Sequence, residues 1–232
     1  MFAMAAANKP PAAAPPGGDL LATPLRFTRS SSQYMQRAFG TAGNTPWTLS
    51  MWVKRVGSFG LQQAVFAESG ANKVHSAFAT NDSWTMMFGT TYLIGGMPAI
   101  TSTTTWFNLY WRSVGTGPPT DPKFHTGVPN NIGPSSWTAA VAATSLNSAA
   151  AHYIGGIPGY ALFADYHLAN VIFADGQSLL PADFGQDVGG VWTPKPYTGS
   201  FGANGFHLTF ADLGMLGRDT SGNGNHWTPV NF

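Results

Sequence analysis

The sequence predicts an all-β fold, a sandwich of two sheets preceded by an extended arm, and three observations predict it. First, Trp47-Thr48-Leu49-Ser50-Met51-Trp52-Val53-Lys54 alternates, with Trp47, Leu49, Met51 and Val53 on one face and Thr48, Ser50, Trp52 and Lys54 on the other. That period of two marks a strand with one buried face. Second, further short apolar segments recur at the spacing of about 8–12 residues expected of sandwiches, separated by Gly, Pro, Asn or Ser clusters. Third, no segment carries three turns of amphipathic helix, and no internal repeat is visible.

Taken in order, residues 1–18 read MFAMAAANKPPAAAPPGG, a low-complexity Ala/Pro/Gly stretch. Lys9 follows the short Phe2–Ala7 run and Pro10 comes at once, the reverse of a secretory leader. Pro10, Pro11, Pro15 and Pro16 favour an extended, polyproline-like tether. The arm is assigned to residues 1–24 and the sandwich to 25–232. Strands are expected at Leu25–Arg29, Tyr34–Arg37, Trp47–Lys54, Ala64–Glu68, Val74–Thr80, Trp84–Phe88, Thr91–Ile94 and Thr105–Arg112. Gly115–Ser148, rich in Gly, Pro, Thr and Ala, reads as a long loop over one sheet. Strand signals return at His152–Ile154 and Leu162–Phe173, the latter ending in the Asp175-Gly176 turn. Ser178–Gly185 suggests one helical turn, capped by Ser178 and stopped by Gly185. Phe206–Phe210 is the last expected strand.

Composition excludes several functions. Eleven basic and ten acidic residues make charged residues only 9% of the 232, against roughly 25% in an average soluble domain. A net charge of +1 offers no field for phosphate, so nucleic-acid binding is not expected. No apolar stretch approaches the roughly 20 residues that span a bilayer, so neither is a membrane. Cysteine is absent, which removes thiol catalysis and thiolate metal sites. Ser, Thr, Asn and Gln must cover the surface instead, a composition suited to a protein whose faces meet neighbours in an assembly.

Several stretches in order carry a resemblance. They are Phe27-Thr28-Arg29-Ser30 with Tyr34-Met35-Gln36-Arg37, then Trp47–Arg55, Ala151-His152-Tyr153-Ile154-Gly155 and Leu168–Gln177. Val191–Gly199, Asn204–Phe210 and Asp219-Thr220-Ser221-Gly222-Asn223-Gly224-Asn225-His226-Trp227-Thr228-Pro229 follow. Over roughly residues 25–232 this series resembles the laminin-G-like, concanavalin A-like domains of tailed-bacteriophage virion structural proteins. The resemblance implies a two-sheet jelly roll of concanavalin A-like type. It is poor at Trp106–Arg112 and in the Gly/Pro-rich stretch beyond. Relatives often continue into further domains, whereas this sequence ends at Phe232, so a small stand-alone protein is expected.

Concanavalin A-like folds also host glucanases, which resemblance would equip with two glutamates on one strand. Retaining hydrolysis needs carboxyls about 5–5.5 Å apart. Glu68 is the only glutamate, and Phe66 and Gly70 occupy the same-face positions beside it. No Gly-x-Ser-x-Gly occurs, and the six histidines show no metal-ligand spacing. The chain is therefore expected not to be an enzyme. Asp219, Ser221 and Asn223 place oxygens at positions 1, 3 and 5 of an EF-hand-like loop, with glycine at position 6. Calcium is the one cofactor these residues suggest, although position 12 is Val230 and a plain Asx/Gly turn competes. Trp52, on the non-core side of its strand, is the candidate ring for stacking on a glycan.

The expected function is that of a virion structural protein on the exterior of the particle. A tail fibre needs a stalk that this sequence lacks, so capsid decoration is the favoured placement. The expected partners are other virion proteins, the major capsid protein first among them, with docking through the arm, homo-oligomer formation and a possible cell-surface glycan. The alternative is a tail-associated, lectin-like module for host adhesion.

Overall fold

A computed structural model describes residues 19–40, 46–69, 74–88, 91–95, 97–113, 123–125, 131–132, 136–137 and 146–232. Pro10, Pro11, Pro15 and Pro16 lie outside the described residues. In chain order the strands are β1 (Leu25–Phe27), β2 (Tyr34–Ala38), β3 (Trp47–Arg55), β4 (Gln63–Glu68), β5 (Val74–Phe78), β6 (Trp84–Phe88), β7 (Thr91–Gly95) and β8 (Phe107–Ser113). There follow β9 (Lys123–His125), β10 (Asn131–Ile132), β11 (Ser136–Trp137), β12 (Ala151–Ile154), β13 (Gly156–Ile157), β14 (Leu162–Phe163) and β15 (Tyr166–Asp175). The last are β16 (Gly185–Val188), β17 (Val191–Pro194), β18 (Phe206–Leu208) and β19 (Thr228–Val230). Among the described residues there is no α-helix, only three single 3-10 turns.

Two antiparallel sheets hold the core between them. One runs β1-β15-β3-β8-β9-β10, with β18 also on β15; the other runs β11-β7-β6-β5-β4-β12-β2-β19. The expectation of an all-β sandwich is met. The alternation in β3 builds it: Trp47, Leu49, Met51 and Val53 are buried against Phe66, Phe78, Trp84 and Met86 of the opposite sheet. Each such side chain contributes roughly 1.5–3 kcal/mol by leaving water. β15 supplies Tyr166, Leu168, Val171 and Phe173 to the same core. The register between β3 and β15 shifts between Ala169 and Ile172, where Asn170 sits at φ 47°. Asparagine tolerates that left-handed conformation, so a bulge forms without losing the strand.

Four expectations about strand and turn boundaries are corrected. The Leu162–Phe173 segment divides into β14 and β15, because Ala164 and Asp165 interrupt the ladder. Within the stretch expected as a loop, β9 and β10 extend one sheet beyond β8, and β11 adds to β7. The turn after Asp175 is not capped by Ser178. Its 3-10 segment is Pro181–Asp183, and the Asp183 carboxylate closes it by accepting the Leu180 N–H at 2.7 Å. Gly185 begins β16 rather than ending a helix, and β16 and β17 form a hairpin around Gly189-Gly190.

The largest correction concerns the outer face of the β3 sheet, expected to meet solvent. Thr48, Ser50 and Trp52 are all buried. The segment after β15 folds over Thr48: its Oγ1 donates to the Gln177 carbonyl at 2.9 Å and accepts the Leu179 N–H at 2.9 Å. Beneath it Tyr110, Ile172 and Phe184 make a second apolar cluster, joined by Leu179, Tyr197 and Phe201.

Candidate functional site

Trp52 is 1% exposed. It lies in register between Ala169 of β15 and Asn108 of β8, and its indole N–H has no hydrogen-bond partner among the described residues. The expectation that it stacks on a glycan is corrected: a sugar cannot reach a ring with no accessible face. The misleading signal was the alternation itself, which identifies two faces but not whether the second is also covered. The apolar Val171-Ile172-Phe173-Ala174 run carries the opposite signal, that of a strand buried on both sides.

The structure brings Asp219, Ser221 and Asn223 into one loop, but they do not form a calcium site. Asp219 Oδ1 accepts the N–H groups of His207 at 2.8 Å and Ser221 at 2.9 Å. Its Oδ2 accepts the Ser221 hydroxyl and the Asn225 N–H, both at 2.8 Å. Four protein donors face both oxygens of the carboxylate. The Asn223 side-chain amide donates to the Gly202 and Gly205 carbonyls, at 2.7 and 2.9 Å. The calcium reading is corrected to an Asx-turn hub, and among the described residues no three His, Asp or Glu side chains converge to hold a metal.

That hub belongs to a larger polar network at one end of the sandwich. Arg37 donates to the Asn204 carbonyl at 3.1 Å and to the Asn225 side chain. Asn204 donates its N–H to Asp175 at 2.8 Å and its side-chain amide to Asn147 at 2.7 Å, and the Asn147 amide donates to the other Asp175 oxygen. His152 of β12 lies opposite Arg37 of β2 and Glu68 of β4. Its ring stacks on Phe39 with centroids 3.7 Å apart. The two ring nitrogens face the Ala150 and Leu146 carbonyls, each at 2.9 Å. Burial pushes the His152 pKa down to about 4, so at neutral pH the ring carries one N–H and donates to one of the two carbonyls. Burial raises the Glu68 carboxyl, opposed by the hydroxyl that Ser148 donates to it.

Tyr34–Arg37, Ala151–Gly155, Leu168–Gln177, Asn204–Phe210 and Asp219–Pro229, five of the stretches that stood out in the sequence, converge here. Through these backbone, amide and hydroxyl contacts the network ties β2, β12, β15 and β18 together. Sequence reasoning missed this convergence because its members lie up to 188 positions apart.

The described surface carries two apolar features instead. One is a groove lined by Leu213, Met215, Leu216, Trp227, Pro229 and Phe232, continuous with a second depression at Thr209–Asp212. Leu213 is 84% exposed. The other is the β16–β17 hairpin tip, where Val188 and Val191 are each 51% exposed.

No family model and no curated protein matches the chain. Among solved structures it is similar to the Trypanosoma rangeli sialidase, at 14% identity and a TM-score of 0.41. It is also similar to a mutant of that sialidase displaying trans-sialidase activity, at 13% identity and a TM-score of 0.43. Each match covers 60% of this chain and 22% of the other. The expectation that the chain is not an enzyme is corrected at this point. A single glutamate and the lack of a Gly-x-Ser-x-Gly motif exclude particular mechanisms but not catalysis as such. A likeness of this degree assigns neither a catalytic residue nor a substrate to this chain.

Proposed function

We propose that the protein is a structural component of a tailed-bacteriophage particle, positioned on the exterior of the capsid and attached through its Ala/Pro-rich arm. The observation that carries this reading is the surface: sparsely charged, with Leu213, Met215, Phe232, Val188 and Val191 all more than 40% exposed. Exposed apolar side chains clustered on a surface this poor in charge mark contact with other proteins. The ordered motifs that resemble phage laminin-G-like domains, and the tether composition of residues 1–18, support the same reading. The major capsid protein is the proposed partner of the arm.

The lectin-like tail module is the weaker reading. Its candidate ring, Trp52, is buried, and no other feature of the described surface favours it. Capsid shells lacking this protein test the proposal when mixed with the full chain and with a form lacking residues 2–18. Decoration by the full chain alone supports it. Equal decoration by the truncated form removes the arm from the account, and decoration by neither removes the capsid.

A further inference from the structure

We propose that the groove between Thr209 and Phe232 is the docking site for the chain's own Pro-rich arm, residues Pro10–Pro16, bound in cis. Three observations converge on this occupant.

The first is where the arm begins. Thr23 Oγ1 donates to the Thr209 carbonyl at 3.0 Å, which fixes the root of the arm to one end of the groove. Four residues on, Phe27 of β1 packs edge-on against Phe232 at the other end, with centroids 5.2 Å apart. Thr23 and Phe27 thus each contact a residue that lines the groove.

The second is direction. Residues 19–22 form a tight turn: the Ala22 N–H donates to the Asp19 carbonyl at 3.0 Å, and Asp19 Oδ1 accepts the Leu21 N–H at 3.0 Å. A hydrogen-bonded turn of four residues reverses the chain. The proposed path takes the residues before Asp19 back towards Thr23–Phe27. At about 3.1 Å per residue in polyproline II, eighteen residues reach up to about 55 Å, so length is no obstacle.

The third is chemistry. Leu213, Met215 and Phe232 are 84%, 42% and 41% exposed; Leu216, Trp227 and Pro229 line the groove with them, beside His226 and Thr228, and Asp212 and Arg218 line the adjoining depression. Pro-rich segments dock on aromatic and aliphatic grooves of this kind because the extended helix is already formed and little entropy is lost. Residues 10–16, PPAAAPP, carry no charge to desolvate. Tethering through Thr23 makes the event intramolecular, at an effective concentration in the millimolar range.

The proposal concerns the free chain and does not depend on the capsid reading, which is tested on shells. A photo-reactive p-benzoylphenylalanine replacing Ala13 is irradiated in the full chain at low and high protein concentration, and adducts are mapped by mass spectrometry. The expected result is an intrachain adduct within residues 209–232, Met215 foremost, in equal yield at both concentrations. Introducing Leu213→Asp, a change at an exposed position that leaves the melting temperature unmoved, abolishes the adduct. An adduct joining two chains means that a second copy fills the groove and overturns the proposal. So does an adduct elsewhere on the domain, or none.

Discussion

Arg55 and Asp82 form an ion pair that joins the two sheets, with Nη2 of the buried arginine 3.0 Å from Oδ1 of the aspartate. Arg55 ends β3 in one sheet, and Asp82 lies in the turn between β5 and β6 of the other. The guanidinium also donates to the Ile100 carbonyl at 3.2 Å and sits over the Phe78 ring, 4.2 Å from its centroid. Burial lowers the Arg55 pKa, and the hydrogen bond and charge of Asp82 oppose that shift. Removing one member of such a pair leaves a buried charge without compensation, at a cost of about 3–5 kcal/mol. Asp82→Ala should therefore lower stability by that amount in urea unfolding. Asp82→Asn should cost less, since asparagine accepts the φ of 61° and retains an acceptor for the Gly60 N–H.

His152 makes stability depend on pH in a defined direction. Its folded pKa of about 4 lies below the ordinary value near 6.5, so the unfolded chain binds the extra proton first. The contribution is complete above pH 6.5 and falls away as pH drops towards 4, by up to about 3 kcal/mol. His207, also held down to about 4 by burial, adds to the same loss. Unfolding curves at pH 7.5 and pH 5 should show the loss in the wild type and a smaller one in His152→Gln. An identical loss in both would assign it elsewhere.

The Asp219 hub predicts a response to substitution but not to calcium. Asp219→Ala removes the acceptor of four hydrogen bonds, two of them to backbone N–H groups of its own loop, and should cost about 2–4 kcal/mol. Because both carboxylate oxygens already face donors, the melting temperature should be the same in calcium and in chelator. A calcium-dependent rise would contradict the hydrogen-bond assignment of the loop.

Trp52 separates packing from binding. Trp52→Ala should destabilise by about 3–5 kcal/mol, as large-to-small changes at buried aromatic positions do. Trp52→Phe should cost less and leave any glycan-array profile of the folded protein unchanged. Selective loss of a glycan signal in Trp52→Phe, with stability retained, would return the ring to a binding role.

Gly155 carries a backbone requirement. It adopts φ 78°, and a Cβ there would run into the Phe27 ring. Gly155→Ala combines strain with a steric conflict between β1 and the end of β12. It should destabilise by more than the roughly 0.4–1 kcal/mol that Gly→Ala gains where the backbone is compatible, readable as a drop in thermal midpoint.

Much of the sandwich was legible because its signals are local. Trp47, Leu49, Met51 and Val53 declare a core face within eight residues, and the Gly, Pro and Asn clusters declare where strands stop. What escaped depends on distant partners. Nothing near Trp52 shows that residues 177–201 fold back over the same sheet, although Ile172 on the outer side of β15 hinted at it. Asp219 offered the oxygen spacing of a metal loop, and only the arrival of the His207 and Asn225 N–H groups shows that its oxygens are occupied. The Asp183 cap was readable in principle, since proline at the first position with an acid three residues after Leu180 is a helix-start pattern. Ser178 simply looked the stronger capping residue.

The central claim is the place of this protein on a phage capsid, and electron cryo-microscopy of purified particles with counting of this chain tests it most directly. The account predicts many copies on the outside of the head, each joined to the shell by density continuous with residue 19. Copies confined to the tail, or particles without the chain, would contradict it.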